Sequence, residues 1–361
     1  MTAGVDRPAD GKVAVERVDR PGRRGMRLLG HRLPRGRRLA YWVQAEIVAA
    51  ATDLAEVIGG AIALHILFGI PLLAGGVIVG VVSMILLGVQ SRRGQQPFEF
   101  VVVGLLAVIT LGFVSGLFYG PISWGEAVAG MVPRFEGTQT VLLAAGMLGA
   151  TVMPHAIYVH SALARDRHQG AHAHPGTLGR LLRATRWDVG LSLLVAGSVN
   201  IAMLLLAAAN LSGVSGTDSI EGAHAAITTA LGPAVGVLFG VGLLASGLAS
   251  TAVGSYAGSE IMGGLLRWRI PQMLRRVLTL IPALLVIASG VDPTWALVLS
   301  QVLLSIGIPF AMIPLVRLTG ARAVMGRHAN STPLQTVAWV VVALIVALNA
   351  VLLWLTLTGQ G

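Results

Sequence analysis

The chain has 361 residues, of which 55% are hydrophobic and only 12% charged, with a mean hydropathy of +0.77. A soluble domain carries roughly a quarter charged residues, so this composition excludes a soluble enzyme or binding module and predicts an all-α polytopic membrane protein. The absence of cysteine rules out disulfides and thiolate metal sites. The net charge of +10 is concentrated in a tail and in alternate loops, a sign of membrane topology rather than of nucleic-acid binding.

Residues 1–40 are polar, rich in Arg, Gly and Pro, and without periodicity, which predicts a disordered basic cytoplasmic tail. No apolar core suited to a signal peptide precedes Ala40. Residues 41–361 read as one transmembrane domain. Their apolar runs predict nine spans of about 20 residues each, at 42–68, 70–90, 98–119, 139–163, 187–211, 233–256, 272–290, 294–316 and 336–357.

The first span carries Asp53 and Glu56, with Glu46 two turns earlier. At about 100° per residue the three acids share one helix face. Ionised acids at membrane depth cost at least about 2.5–3.5 kcal/mol each, so they are expected to face the bundle interior or a cavity. The preferred reading is a proton relay, with a structural ion pair as the alternative. Arg275 and Arg276, at the start of the seventh span, are candidate partners; the residues alone leave open that they are interfacial anchors.

The fourth span contains Gly149-Ala150-Thr151-Val152-Met153-Pro154-His155. Pro154 has no N–H and clashes with the carbonyl four residues back, so the helix is expected to break near Ala150. A break at membrane depth persists only where it is buried in protein or lines a watery cavity, and its freed carbonyls are then ready ion ligands. Met153 adds a soft thioether and His155 a titratable imidazole. His155 and His160 are not an i, i+4 pair, and no His-Glu-x-x-His is present, which disfavours an intramembrane metalloprotease. The small residues from Ser246 to Gly258 predict close helix packing. Gln301 places an amide at mid-depth, as an interhelical hydrogen bond or as an oxygen ligand.

Basic residues fall in the tail, at Arg92-Arg93, and in the loops Arg165–Arg186, Arg267–Arg276 and Arg317–Arg327; the intervening loops carry Glu126, Glu136, Asp218, Glu221 and Asp292. This alternation predicts a cytoplasmic N-terminus and an external C-terminus.

Together these residues resemble a known family. Trp42-Val43-Gln44-Ala45-Glu46 with Ala51-Thr52-Asp53-Leu54-Ala55-Glu56-Val57-Ile58-Gly59 is similar to the third helix of the Nramp divalent-metal transporters. The segment Gly149 to His155, followed by His160-Ser161-Ala162-Leu163, resembles their sixth. Tyr256-Ala257-Gly258, Arg275-Arg276, Ser300-Gln301-Val302 and Pro309-Phe310-Ala311 continue the likeness in register. The resemblance implies a LeuT-like inverted repeat in the cell membrane that moves Mn²⁺ or Fe²⁺ inward with protons, both being transported substrates, and no resident cofactor or enzymatic activity. It implies that the Ala150 carbonyl and the Met153 sulfur bind the metal and that Gln301 joins them in an occluded state. Asp53, Glu56 and His155 would serve the proton route, with Arg275 and Arg276 as pairing partners and Glu46 further along.

Two departures stand out. Ala156 follows the Met-Pro-His where the family often has Asn. The family's first helix, with its Asp-Pro-Gly-Asn motif, and its second helix have no counterpart here; Asp292-Pro293 lies in an outer loop and cannot substitute. The expectation is therefore an Nramp-type chain lacking two helices, whose remaining neutral ligands compensate a divalent ion's desolvation poorly and whose own activity is in question. A LeuT-like carrier of another substrate and an inactive membrane fragment are the alternatives.

Overall fold

The computed structural model describes residues 34–93, 95–116, 122–130, 132, 134, 137–154, 157, 177–265 and 272–358. They form helices joined by short turns, with no strand among them. In chain order these are α1 (Arg35–Phe68), α2 (Leu72–Arg93), α3 (Gln95–Gly116), α4 (Trp124–Ala129), α5 (Thr138–Thr151), α6 (Thr177–Asn210), α7 (Ile220–Leu231), α8 (Pro233–Leu265), α9 (Gln272–Ala288), α10 (Pro293–Gly320), α11 (Arg322–Met325) and α12 (Thr332–Leu357), with a 3₁₀ turn at Gly326–His328.

Helix α1 is the post around which the bundle is built. It touches α2, α8, α9 and α10, and protein covers 72% of its most apolar window. Val57, Ile58, Ala61, Ile62 and Ala63 are sealed in its middle. Ile58 and Ile62 meet Ala296 of α10, while Val57 meets Leu280 and Ala283 of α9. The helix ends where Gly69 turns left-handed (φ 67°) and donates its N–H to the His65 carbonyl at 2.8 Å. Pro71 follows, and α2 runs back alongside.

The helices α6 and α12 are the opposite case. Protein covers only 17% and 22% of their most apolar windows, and Leu193, Leu194 and Leu344 are each about two-thirds exposed. Apolar surface of this extent is what a helix crossing a membrane presents, and the intrahelical hydrogen bonds satisfy its backbone groups.

Five helical stretches among the described residues are long and apolar enough to cross a membrane: Arg38–Phe68, Gly179–Asn210, Pro233–Thr251, Pro293–Gly320 and Thr332–Leu355. Leu72–Gly88 and Val103–Val114 are apolar but shorter, so the nine spans expected from apolar runs are not confirmed. Where the runs and the helices differ, the cause is physical. Helix α1 begins at Arg35, so residues 35–40 belong to it rather than to the tail. Helix α6 begins at Thr177, about ten residues before its apolar run, through exposed turns bearing Arg180, Arg183 and Arg186. A hydropathy reading misses helical turns that stand in water. It also passes over α7, a 12-residue helix whose N-terminus is capped by the Ser219 hydroxyl (Gly222 N–H at 3.0 Å). Asp292 likewise caps α10, accepting from the Trp295 N–H at 2.7 Å, with Pro293 in the first turn. The basic tail up to residue 33 lies outside the described residues.

Candidate functional site

Two of the three acids of α1, Glu46 and Asp53, are met by arginines of α9. Arg276 Nη1 stands 2.9 Å from Asp53 Oδ1, and Arg275 Nη2 stands 2.5 Å from Glu46 Oε1. Arg276 is completely buried, and Asp53, Glu56 and Arg275 nearly so; the Glu46 side chain is a quarter exposed. Taking such charges out of water costs several kcal/mol per ion, which their mutual attraction offsets only at close range. The arginines therefore pair with the acids rather than anchor at the interface, and the relevant one is held from a third helix as well. The Arg276 Nε–H donates to Ser83 Oγ of α2 at 2.8 Å, and the Ser83 hydroxyl donates to the Gly80 carbonyl at 2.7 Å.

Glu56 is placed differently. Neither of its oxygens accepts a hydrogen bond. Ser250 and Thr251 of α8 lie beside it, but their hydroxyls donate to carbonyls of their own helix, at Ser246 and Gly247. The acid row thus holds two carboxylates with a guanidinium partner and one without.

The break is where the sequence puts it. Helix α5 stops at Thr151; Val152 N–H reaches the Leu148 carbonyl at 2.9 Å and the Thr151 hydroxyl the Met147 carbonyl at 2.7 Å. Pro154, four residues after Ala150, has no N–H to offer the Ala150 carbonyl. Ala150 is exposed, Met153 half-buried and Pro154 buried. Gly149 is what lets α5 lie against α10: a Cβ there would collide with the Gln301 carbonyl and come within 2.9 Å of the Ser305 nitrogen. At Gly307, two turns on, a Cβ would meet Val48 and Gln44 of α1 and come 3.6 Å from the Pro154 ring. The break therefore sits between α10 and α1, and Val48 precedes Asp53 by five residues, roughly 8 Å along the axis.

The donors here are neutral. Gln301 Oε1 is buried without a hydrogen-bond partner, while its Nε2 lies 3.5 Å from Ser300 Oγ. Helix α12 closes the junction through a cluster of Val141, Ala145, Val302 and Leu352. Its Asn349 donates to the Ser305 carbonyl at 3.2 Å and the Ile345 carbonyl at 3.0 Å, leaving Oδ1 without a partner. Among the described residues no three His, Asp or Glu side chains gather where they could hold a metal ion. His155 and His160 lie outside the described residues.

Sequence reasoning missed Ser83 and Asn349. The one available signal was a polar side chain in an otherwise apolar helix, and in a membrane helix serines and asparagines are too easily satisfied by their own backbone for that signal to stand out.

Known proteins resemble this chain in sequence and fold. The family described as "Natural resistance-associated macrophage protein-like" (Nramp) matches residues 22–355. The divalent metal cation transporter MntH of Mycobacterium tuberculosis is 57% identical over 332 residues, covering 92% of this chain and 77% of that protein. The Deinococcus radiodurans protein of the same name is 43% identical over 340 residues, covering 94% of this chain and 77% of that one. The crystal structure of the Eremococcus coleocola manganese transporter, in complex with an aromatic bis-isothiourea compound, superposes with a TM-score of 0.77. It is 27% identical and covers 94% of this chain and 78% of that chain.

Proposed function

This chain belongs to the Nramp family of divalent metal cation transporters, and on that premise we propose that it carries Mn²⁺ or Fe²⁺ across the cell membrane together with protons. It is a multi-pass membrane transporter and not an enzyme. What supports the proposal is the break in α5: the Ala150 carbonyl has lost its helical donor, Met153 follows within the break, and Gly149 packs on the backbone of Gln301 in α10, whose amide oxygen is buried without a partner. A thioether favours Mn²⁺ or Fe²⁺ over the harder Ca²⁺, which prefers an all-oxygen shell.

Protons take a separate course through Asp53 and Glu56, with His155 at the break, Arg275 and Arg276 as counter-ions, and Glu46 toward the cytoplasm. Charged groups in a membrane protein persist where they pair and line such routes. The N-terminus is cytoplasmic and the C-terminus external, following the charge of the loops.

The test is uptake by the chain itself. Reconstituted in liposomes with a trapped fluorescent indicator, it should admit Mn²⁺ faster when the outside is acid, and acidify the lumen as it does so. A preparation that folds, inserts and still admits no Mn²⁺ would return the chain to the inactive-fragment reading. Reporter fusions at both ends test the orientation, and a cytoplasmic signal from the C-terminal fusion would overturn it.

A further inference from the structure

We propose that Ser83 is a positioning residue that commits Arg276 to Asp53 and keeps it from Glu56. The proposal rests on the proton-coupled reading above and assigns the coupling step a determinant on a third helix.

One buried guanidinium serves two buried carboxylates. Asp53 and Glu56 stand three residues apart on α1, within one turn and on adjacent parts of one face. Arg276 ion-pairs with Asp53 at 2.9 Å, while Glu56 has no hydrogen-bond donor on either oxygen. Arg276 Nη2, for its part, has no acceptor. A guanidinium and a carboxylate left unsatisfied so close together would ordinarily turn toward each other. The ion pair with Asp53 holds one end of the fork, and a second bond, to Ser83, fixes its direction.

The guanidinium is planar, so fixing Nε fixes the direction of the whole fork. The Nε–H donates to Ser83 Oγ at 2.8 Å. The Ser83 hydroxyl is itself oriented, because its hydrogen goes to the Gly80 carbonyl at 2.7 Å and a lone pair is left facing Arg276. Ser83 is fully buried, so no water replaces this bond. The buried charged side chains among the described residues are Asp53, Glu56, Arg275 and Arg276. Arg275 is engaged by the half-buried Glu46. From the flanking helices come hydroxyls: Ser83 on α2, Ser250 and Thr251 on α8, and Thr279 on α9, which donates to the Arg276 carbonyl at 3.2 Å.

Division of labour between the two acids follows. Asp53 is the paired carboxylate of the proton route, and Glu56 is the one left free of the guanidinium to take and release a proton. Without Ser83 the guanidinium is shared by both acids, and the carrier is lost to an ion pair.

Two measurements test this on the full chain. In proteoliposomes, with Mn²⁺ entry and lumenal pH followed together, Ser83→Ala should lower the protons moved per Mn²⁺ by about tenfold or more, the effect of one lost hydrogen bond to a charged group. Ser83→Thr, which keeps the hydroxyl, should restore the ratio. A ratio unchanged in Ser83→Ala, or lost equally in both variants, overturns the proposal. In detergent, Ser83→Ala and Asp53→Asn should each lower the unfolding temperature, and the double variant should lower it by less than their sum, because both act on one guanidinium. Strictly additive shifts would likewise overturn it. The melting measurement needs no transport, so a wild-type chain that moved no Mn²⁺ would sink the transport reading while Ser83 was still judged.

Discussion

The two halves of the site solve opposite problems. Along α1 and α9, full charges are buried and held by partners: Arg276 by Asp53 and Ser83, Arg275 by Glu46. At the break between α5 and α10, nothing charged is placed by the described residues, and oxygens stand without donors at Gln301 and Asn349. A fixed, paired charge is a poor landing place for a divalent ion, which would have to displace the counter-ion already there. Neutral lone pairs without partners are the reverse: they cost the folded protein something while vacant, and they recover it when a cation or its water arrives. With Mn²⁺ at the break and protons on the acid row, as proposed, the contrast keeps the two kinds of cation apart within roughly 8 Å of helix.

The sharpest way to break the comparison is to remove the charged partner. Arg276→Met leaves Asp53 buried and uncompensated and should cost about 3–5 kcal/mol of stability, read as a large drop in the unfolding temperature. A variant as stable as the parent would mean that the acid row is not held by pairing. Next in size is Gly149→Val, whose side chain is driven into the Gln301 carbonyl. Overpacking of that kind costs about 1–3 kcal/mol and should push α5 off α10, so that Mn²⁺ uptake disappears while the helical content by circular dichroism is kept.

Asp53→Asn is the discriminating experiment. Because Asp53 is not among the proposed metal ligands, proton influx should fall more than Mn²⁺ influx when both are recorded together. Equal losses would merge the two routes into one. The smallest effect is expected from Met153→Ala, which should narrow the preference for Mn²⁺ over Ca²⁺ by roughly tenfold, or about 1.4 kcal/mol. Unchanged competition by Ca²⁺ would remove Met153 from the selecting ligands.

How far each half could be read in advance follows from the same contrast. Asp53, Glu56 and the arginines were conspicuous in the sequence because an ionisable residue in an apolar run has few explanations. Pro154 was conspicuous because its missing N–H acts on one known carbonyl. Which arginine takes which acid was not legible, since it depends on how α9 is rotated against α1. Ser83 and Asn349 were silent for another reason: each also bonds a carbonyl three or four residues back in its own helix, at Gly80 and Ile345, and that local bond is all the sequence suggests. The early starts of α1 and α6 escaped because polar turns at a helix end carry no hydropathy signal. For α7, the Ser219 cap and the Gly232 stop were present in the sequence, yet a 12-residue segment is too short to register as a span.

The poor coverage of α6 has a mechanical consequence. Of its 34 residues, the apolar part from residue 187 onward measures about 36 Å, against a hydrocarbon thickness of about 30 Å. Its first turns expose Arg180, Arg183, Arg186 and Trp187, side chains that settle at the headgroup level. With so little protein holding the rest of it, the helix answers to the bilayer: a thinner membrane tilts it further, a thicker one draws it upright. A helix held so lightly takes its tilt from whatever thickness of hydrocarbon it crosses.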